Sequence, residues 1–246
     1  MRRRLFLASS LSAALAGCSA IGTKLNDNPG FNSFLGSADR LNELAIGTRG
    51  MARLYPKSAI DPHFRVNGFD TPTSSMYAHL LKDDFHSYRL RVDGAVGHRR
   101  SFTLAELHKM QQQSQITRHD CVEGWSVIGE WGGVRLADLL QVVKPHPDAR
   151  YVVFHCMDRS SDGDPYYESL SLAQAQHPQT LLAMQLNYKP LDADHGAPVR
   201  LRVPTQLGYK SAKWVNRIEV VSSFATIFSG NGGYWEDQGY EWYAGI

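Results

Sequence analysis

The chain has 246 residues, enough for one large domain or two small ones with a sizeable core. Its 43% hydrophobic and 11% aromatic content is that of a folded globular protein and excludes a disordered one. A formal net charge of +2, with no basic stripe at helical spacing, excludes a nucleic-acid binder.

The chain opens on a targeting pattern. Arg2-Arg3-Arg4 is a positive n-region, and Leu5 to Ala16 is an apolar run of 12 residues, too short to span a bilayer. Leu15-Ala16-Gly17-Cys18 has the form of a lipobox, in which the cysteine is acylated and becomes the new N-terminus. Arg3-Arg4-Leu5-Phe6-Leu7 is similar to a twin-arginine export signal, though the usual Ser before it and Lys after it are missing. The expectation is a signal peptide over 1–17 and a lipid-anchored tether over 18–50, held through Cys18 on the periplasmic side of a membrane. Cys121 and Cys156 then remain in an oxidising compartment, where a disulfide between them is the bland alternative.

From about Tyr55 the pattern is globular, and 51–246 reads as one α+β catalytic domain. Tyr88 to Val92 alternates like a strand and runs into an Asp93-Gly94 turn signal. Thr103-x-x-Glu106 is a capping box that predicts a helix through about Gln112. Ile116 to Asp120 predicts a short strand leading to Cys121, and Val134 to Val143 has apolar residues at helical spacing. Tyr151 to Phe154 is a buried-strand run, and Ser171 is a candidate cap for a short helix. Val199, Leu201 and Val203 alternate with Arg200 and Arg202, giving one apolar and one basic face. Ile218 to Val221 is the last predicted strand. The aromatic tail from Gly232 to Tyr243 reads equally as a fold-back over the domain or as a partner patch.

Common catalytic signatures are missing: there is no Gly-x-Ser-x-Gly, His-Glu-x-x-His, Walker loop or Gly-x-Gly-x-x-Gly. A lone Cys121 is too few thiolates for zinc or iron–sulfur sites. It would suffice for a metal whose cofactor brings its own sulfurs, provided Arg, Lys and small residues elsewhere hold that cofactor's phosphate. About 75 residues after Cys121, His195 to Arg200 and then Gly208 to Trp214 supply those types.

Three blocks give this constellation a family resemblance. Cys121-Val122-Glu123-Gly124-Trp125-Ser126, His195-Gly196-Ala197-Pro198-Val199-Arg200 with Val203-Pro204, and Ser211-Ala212-Lys213 are together similar to the sulfite oxidase superfamily of molybdenum enzymes, over roughly residues 60–224. A weaker match is Phe64-Arg65-Val66-Asn67-Gly68. The resemblance implies a molybdenum–molybdopterin cofactor with Cys121 as the metal ligand. Phe64, Arg65, Asn67, His195, Arg200, Ser211, Ala212 and Lys213 are implied to hold the pterin and its phosphate, with Tyr166 and Asp158 shaping the substrate mouth. The sulfite-binding arginines expected after the cysteine are replaced by Trp125-Ser126. The cysteine loop therefore looks more like the bacterial periplasmic branch, which reduces methionine sulfoxide. That branch implies a small S-oxide substrate, a monomer, and a separate electron partner: a haem-bearing membrane subunit or a cytochrome. The alternatives are a sulfite dehydrogenase, in which Arg118 and Arg65 would form the anion pocket, a metal-free binding lipoprotein, and a thiol-redox protein using Cys121 and Cys156.

Overall fold

Ten strands and five short helices can be followed in the computed structural model, which describes residues 50–246. The signal peptide, the Cys18 anchor and the tether apart from its last residue lie outside the described residues.

The first sheet carries β1 (Arg89–Gly94), β2 (Arg100–Thr103), β5 (Tyr151–Arg159), β6 (Pro165–Ser171) and β10 (Val215–Val221), in the order β2-β1-β10-β5-β6. Every pairing is antiparallel except β1 with β10, which are parallel in the register Val92 to Ile218. Leu90, Val92, Val152, Phe154, Ile218 and Val220 alternate inward and bury completely against the helices. The second sheet carries β3 (Gln112–Asp120), β4 (Ser126–Arg135), β7 (Leu181–Leu186) and β8 (Lys189–Pro190) in that order, and β9 (Arg200–Arg202) also pairs with β7. A smaller apolar cluster containing Phe64, Val127, Trp131, Leu186 and Ala197 packs on it.

The helices follow local signals. In α1 (Ser75–Lys82), Ser74 Oγ accepts from Tyr77 N, and Tyr77 and Leu80 are buried. In α2 (Leu104–Lys109), the Thr103/Glu106 capping box forms as expected. The helix stops at Lys109 rather than near Gln112, because Gln112 opens β3 and its side chain donates to the carbonyls of Leu107 and Met110. In α3 (Leu136–Val143), Leu136, Leu139, Leu140 and Val143 form one buried stripe, and Lys144 ends it in the left-handed region. In α4 (Leu172–Ala175), Ser171 and Gln174 form a second capping box. The last, α5 (Tyr234–Asp237), lies in the aromatic tail.

The tail folds back over the domain. Trp242 Nε1 donates to Ser169 Oγ at 2.8 Å, Tyr167 OH to Asp237 at 2.5 Å, and Leu207 N to the Ala244 carbonyl at 2.9 Å. Beneath it lies a fully buried triad in which Lys210 pairs with both Glu168 and Glu236. Cys121 and Cys156 are both free thiols, so the disulfide alternative does not hold.

Candidate active site

The antiparallel turn between β3 and β4 presents Cys121. Its N–H donates to the Trp125 carbonyl at 2.9 Å, and Gly124 N returns a bond to the Cys121 carbonyl at 3.0 Å. Gly124 sits at φ +86°, a conformation glycine adopts without steric cost. The thiol faces a cleft enclosing about 490 Å³, part of it open to solvent. Around Cys121 the cleft gathers Asn67, Asp158, Tyr166, Ser211, Ala212 and Lys213, with Phe69, Tyr209 and Trp235 as aromatic walls. Burial raises the pKa of the Cys121 thiol above its ordinary value; a bound metal cation would reverse that and stabilise the thiolate.

Behind the cleft lies an accumulation of buried positive charge. Arg200 and Arg202 are 0% exposed and Lys213 is 4% exposed. None of the three has a carboxylate within ion-pair distance among the described residues. Desolvation brings Arg200 down to about 10, Arg202 to about 9 and Lys213 to about 7, each further lowered or partly restored by neighbouring charges. Arg200 donates to the carbonyls of His195 and Ser211, both at 3.0 Å. Lys213 Nζ donates to the carbonyls of Phe69 at 2.7 Å and Asp194 at 3.0 Å. Arg202 Nη1 lies 3.3 Å from His119 Nδ1. Trp131 lies under both guanidinium groups, with ring distances of 4.9 and 5.3 Å.

Several polar atoms here have no protein partner: Arg200 Nε, Arg202 Nε, His119 Nε2, Asn67 Oδ1 and Asp158 Oδ1. Burial holds His119 neutral, its pKa well below the ordinary value. With Nδ1 accepting from Arg202, the proton sits on Nε2, a buried donor aimed at Gly208. A Cβ on Gly208 would come within 2.5 Å of that nitrogen. Uncompensated buried cations are costly unless an anion accompanies them. One thiol and one cation, Lys213, face the cleft, and the unpaired Arg200, Arg202 and His119 nitrogens lie behind its lining; together they fit a phosphate-bearing pterin with a thiolate-ligated metal.

The expected residues are not all brought together. His195 is tied into the protein, Nδ1 to Asp192 at 2.7 Å and Nε2 to the Phe64 carbonyl at 3.0 Å. Phe64 is buried edge-on to Trp131, His119 and His195, and lies behind the cleft rather than in its lining. Arg65 is exposed, stacks 4.8 Å over Trp125 and lies 3.9 Å from Glu123. Arg118 pairs with Asp120 at 2.9 Å. Neither arginine lines the cleft, so the anion pocket imagined from them is not formed. Tyr166 OH donates to the Tyr209 carbonyl at 2.7 Å. The Asp158 carboxyl is pushed up to about 7, mainly by burial.

Sequence reasoning missed Phe69, Tyr209 and Trp235 as cleft walls and Arg202 as a third buried cation. The Arg-x-Arg alternation was visible, but the burial of its basic face was not.

Comparison with known proteins agrees with this chemistry. Residues 77–228 match the family described as oxidoreductase molybdopterin binding domain. A protein of Azospira oryzae, provisionally named protein-methionine-sulfoxide reductase subunit YedZ1, is 38% identical over 99% of this chain and 87% of its own length. The protein-methionine-sulfoxide reductase catalytic subunit MsrP of Ralstonia nicotianae is 36% identical over 65% of this chain, and the match spans 50% of that protein. The corresponding subunit of Campylobacter jejuni is 31% identical over 72% of this chain and 61% of its own length. Among solved structures, the sulfane dehydrogenase SoxCD from Paracoccus pantotrophus shares the fold, with a TM-score of 0.51 at 22% identity over 56% of this chain and 39% of that one. The family match spans more than half of the chain, which therefore belongs to the oxidoreductase molybdopterin binding domain family within the sulfite oxidase superfamily and is a molybdopterin-dependent oxidoreductase.

Proposed function

We propose that the chain reduces a small S-oxide by oxygen-atom transfer, on the periplasmic side of a membrane to which Cys18 tethers it, with the Cys121 thiolate as the protein's ligand to molybdenum. The observation that carries the reading is the cleft that sets Cys121 among Asn67, Asp158, Tyr166, Ser211, Ala212 and Lys213, backed by buried cations without counter-ions. The relatives are named as protein-methionine-sulfoxide reductase subunits, which points to the same substrate class.

Bound there, the molybdenum–pterin group supplies the two-electron oxygen-atom chemistry. The balance is R2SO plus two electrons and two protons giving R2S and water. Lys213, Ser211 and Ala212 would hold the phosphate end, with Arg200 behind them fixing the Ser211 carbonyl, Asn67 at the cleft, and Phe64 and His195 fixing its back wall. Arg65 steadies the cysteine loop from outside through Trp125. The Asp158 carboxyl keeps its proton up to about pH 7 and faces the cleft, where it can supply a proton to the departing oxygen. Electrons come from a separate partner, a haem-bearing membrane subunit or a cytochrome, and the catalytic chain acts as a monomer. Sulfite oxidation is the weaker reading, because the nearest exposed arginines are engaged by Glu123 and Asp120.

The test is molybdenum per chain in wild type and Cys121→Ala, produced in a host that makes the pterin, with sulfoxide-dependent oxidation of a reduced viologen and a parallel sulfite assay. Near-stoichiometric metal with sulfoxide turnover in wild type, and a lost or altered centre in the variant, is expected. Well-folded wild type without metal overturns the enzyme reading, and turnover of sulfite alone overturns the substrate assignment. Cys18→Ser should release the protein from the membrane fraction; retention there would refute the anchor.

A further inference from the structure

The cleft is built in two parts. Cys121, Asp158, Tyr166 and the 208–213 turn lie within the matched domain, residues 77–228, whereas Phe69 precedes it and Trp235 follows it. These two outside residues meet. The Phe69 ring lies 5.0 Å from Tyr234, 6.1 Å from Trp235 and 5.3 Å from Tyr166, and Tyr234 stacks on Tyr166 at 5.8 Å. On its other side Trp235 stacks on Tyr240 at 5.1 Å, and Tyr240 meets Tyr209 edge-on at 5.4 Å. The segment is anchored at that point, since the adjacent Glu236 is buried against Lys210 and Asp237 accepts from Tyr167 OH. The cleft lining therefore combines polar groups, of which Asp158 is not assigned to holding the cofactor, with four aromatic rings, two of which, Phe69 and Trp235, come from outside the family domain.

We infer that Trp235, with Phe69 beside it, is the specificity-determining wall of the cleft and selects sulfoxides that carry a small apolar S-substituent such as a methyl group. The inference rests on the reductase reading proposed above. Sulfur and S-methyl groups gain from contact with aromatic rings, and the polar S–O end is left to Asp158 in the same cleft. A small oxyanion gains nothing from such a wall, because ring faces are electron-rich. Selection acts at binding, and the electron and proton balance of the reduction is unchanged.

The test uses the loaded full chain. The chain has five tryptophans, of which Trp131 and Trp214 are fully buried internal controls. With 5-fluorotryptophan incorporated and the Trp235 signal assigned through Trp235→Phe, dimethyl sulfoxide should shift the Trp235 fluorine resonance saturably and leave Trp131 and Trp214 in place. In turnover with reduced viologen as a one-electron donor used twice, Trp235→Leu should raise KM for dimethyl sulfoxide and for N-acetylmethionine sulfoxide amide about tenfold, with kcat within about twofold. Trp235→Phe should recover most of the loss. Sulfoxide turnover with an unmoved Trp235 resonance overturns the inference, as does a Trp235→Leu variant with wild-type KM or with an equal loss of kcat and kcat/KM. If the leucine variant does not fold, the wild-type fluorine titration decides alone. Absence of sulfoxide turnover in metal-loaded wild type instead overturns the reductase reading.

Discussion

Lys213 should make anion binding in the cleft depend on pH. Desolvation, with Arg200 nearby, brings this ammonium down to about 7 from its ordinary 10.5, with Asp158, Asp194 and Asp70 partly offsetting the fall. Below about pH 7 the lysine is charged before any anion arrives, so affinity is flat with pH. Above that, an anion that restores the charged form must bring a proton with it, and affinity falls about tenfold per pH unit, or about 100-fold by about pH 9. Sulfate is a suitable probe because it does not titrate across this range. Its dissociation constant for cofactor-free protein, measured by calorimetry, should show the break in wild type. Lys213→Met should lose the slope, and near pH 6 should bind about 10- to 150-fold more weakly through loss of one charge-assisted bond of about 1.5–3 kcal/mol. The variant should still fold. Orphaning the Phe69 and Asp194 carbonyls costs about 1–3 kcal/mol each, while removing a buried charge shifted by 10.5 less 7, or 3.5 pKa units, returns at most about 5 kcal/mol. Asp158 titrates in the same range and opposes the anion when ionised, so Asp158→Asn should shallow the slope and keep the break. A slope that persists in Lys213→Met, or one absent from wild type, would refute the argument.

Three further outcomes follow from the buried groups. Lys210→Met should cost about 3–5 kcal/mol in urea unfolding, because the buried Glu168 and Glu236 carboxyls would lose the donor they share; a cost under about 1 kcal/mol would show the triad to be hydrated. Burial raises Glu168 well above the ordinary carboxylate range, so its contribution to stability is present at low pH and lost as pH rises through the folded value; Glu168→Gln should flatten that loss in melting curves taken at increasing pH. Gly208→Ala would place a methyl within 2.5 Å of His119 Nε2, so it should lower the melting temperature of the cofactor-free protein by a cost of about 1–3 kcal/mol and lower cofactor content several-fold; unchanged content in the folded variant would remove His119 and Gly208 from the site.

What was legible in the sequence was local. The Thr103/Glu106 capping box, the Ser171 cap and the β5 and β10 runs are each specified by neighbours within a few residues, and the structure keeps them; the helical spacing read from Val134 to Val143 holds from Leu136, Val134 ending β4 instead. The strand β4 was not legible, because Gly129, Gly132 and Gly133 erase its alternation; their reason is tertiary, since Phe64, Gln185 and Leu182 occupy the space a side chain would need. The same limit applied to the site. Cys121 and the 211–213 turn carry their chemistry in sequence-adjacent residues, whereas Phe69 and Trp235 become cleft walls only when segments about 165 residues apart meet. Arg202 was legible only as part of the basic face of a strand, because burial of a charge is decided by what covers it.

The parallel pairing of β1 with β10 also bears on the order of biosynthesis. The central position of the first sheet goes to the last strand made, so β1 has no partner on that side until residue 221 has been synthesised, and the 208–213 turn that lines the cleft emerges only just before it. Pairing at such long sequence separation is slow and cannot begin on the ribosome from the N-terminal half alone. The cleft and the centre of the first sheet are thus completed together, by the same late stretch of chain.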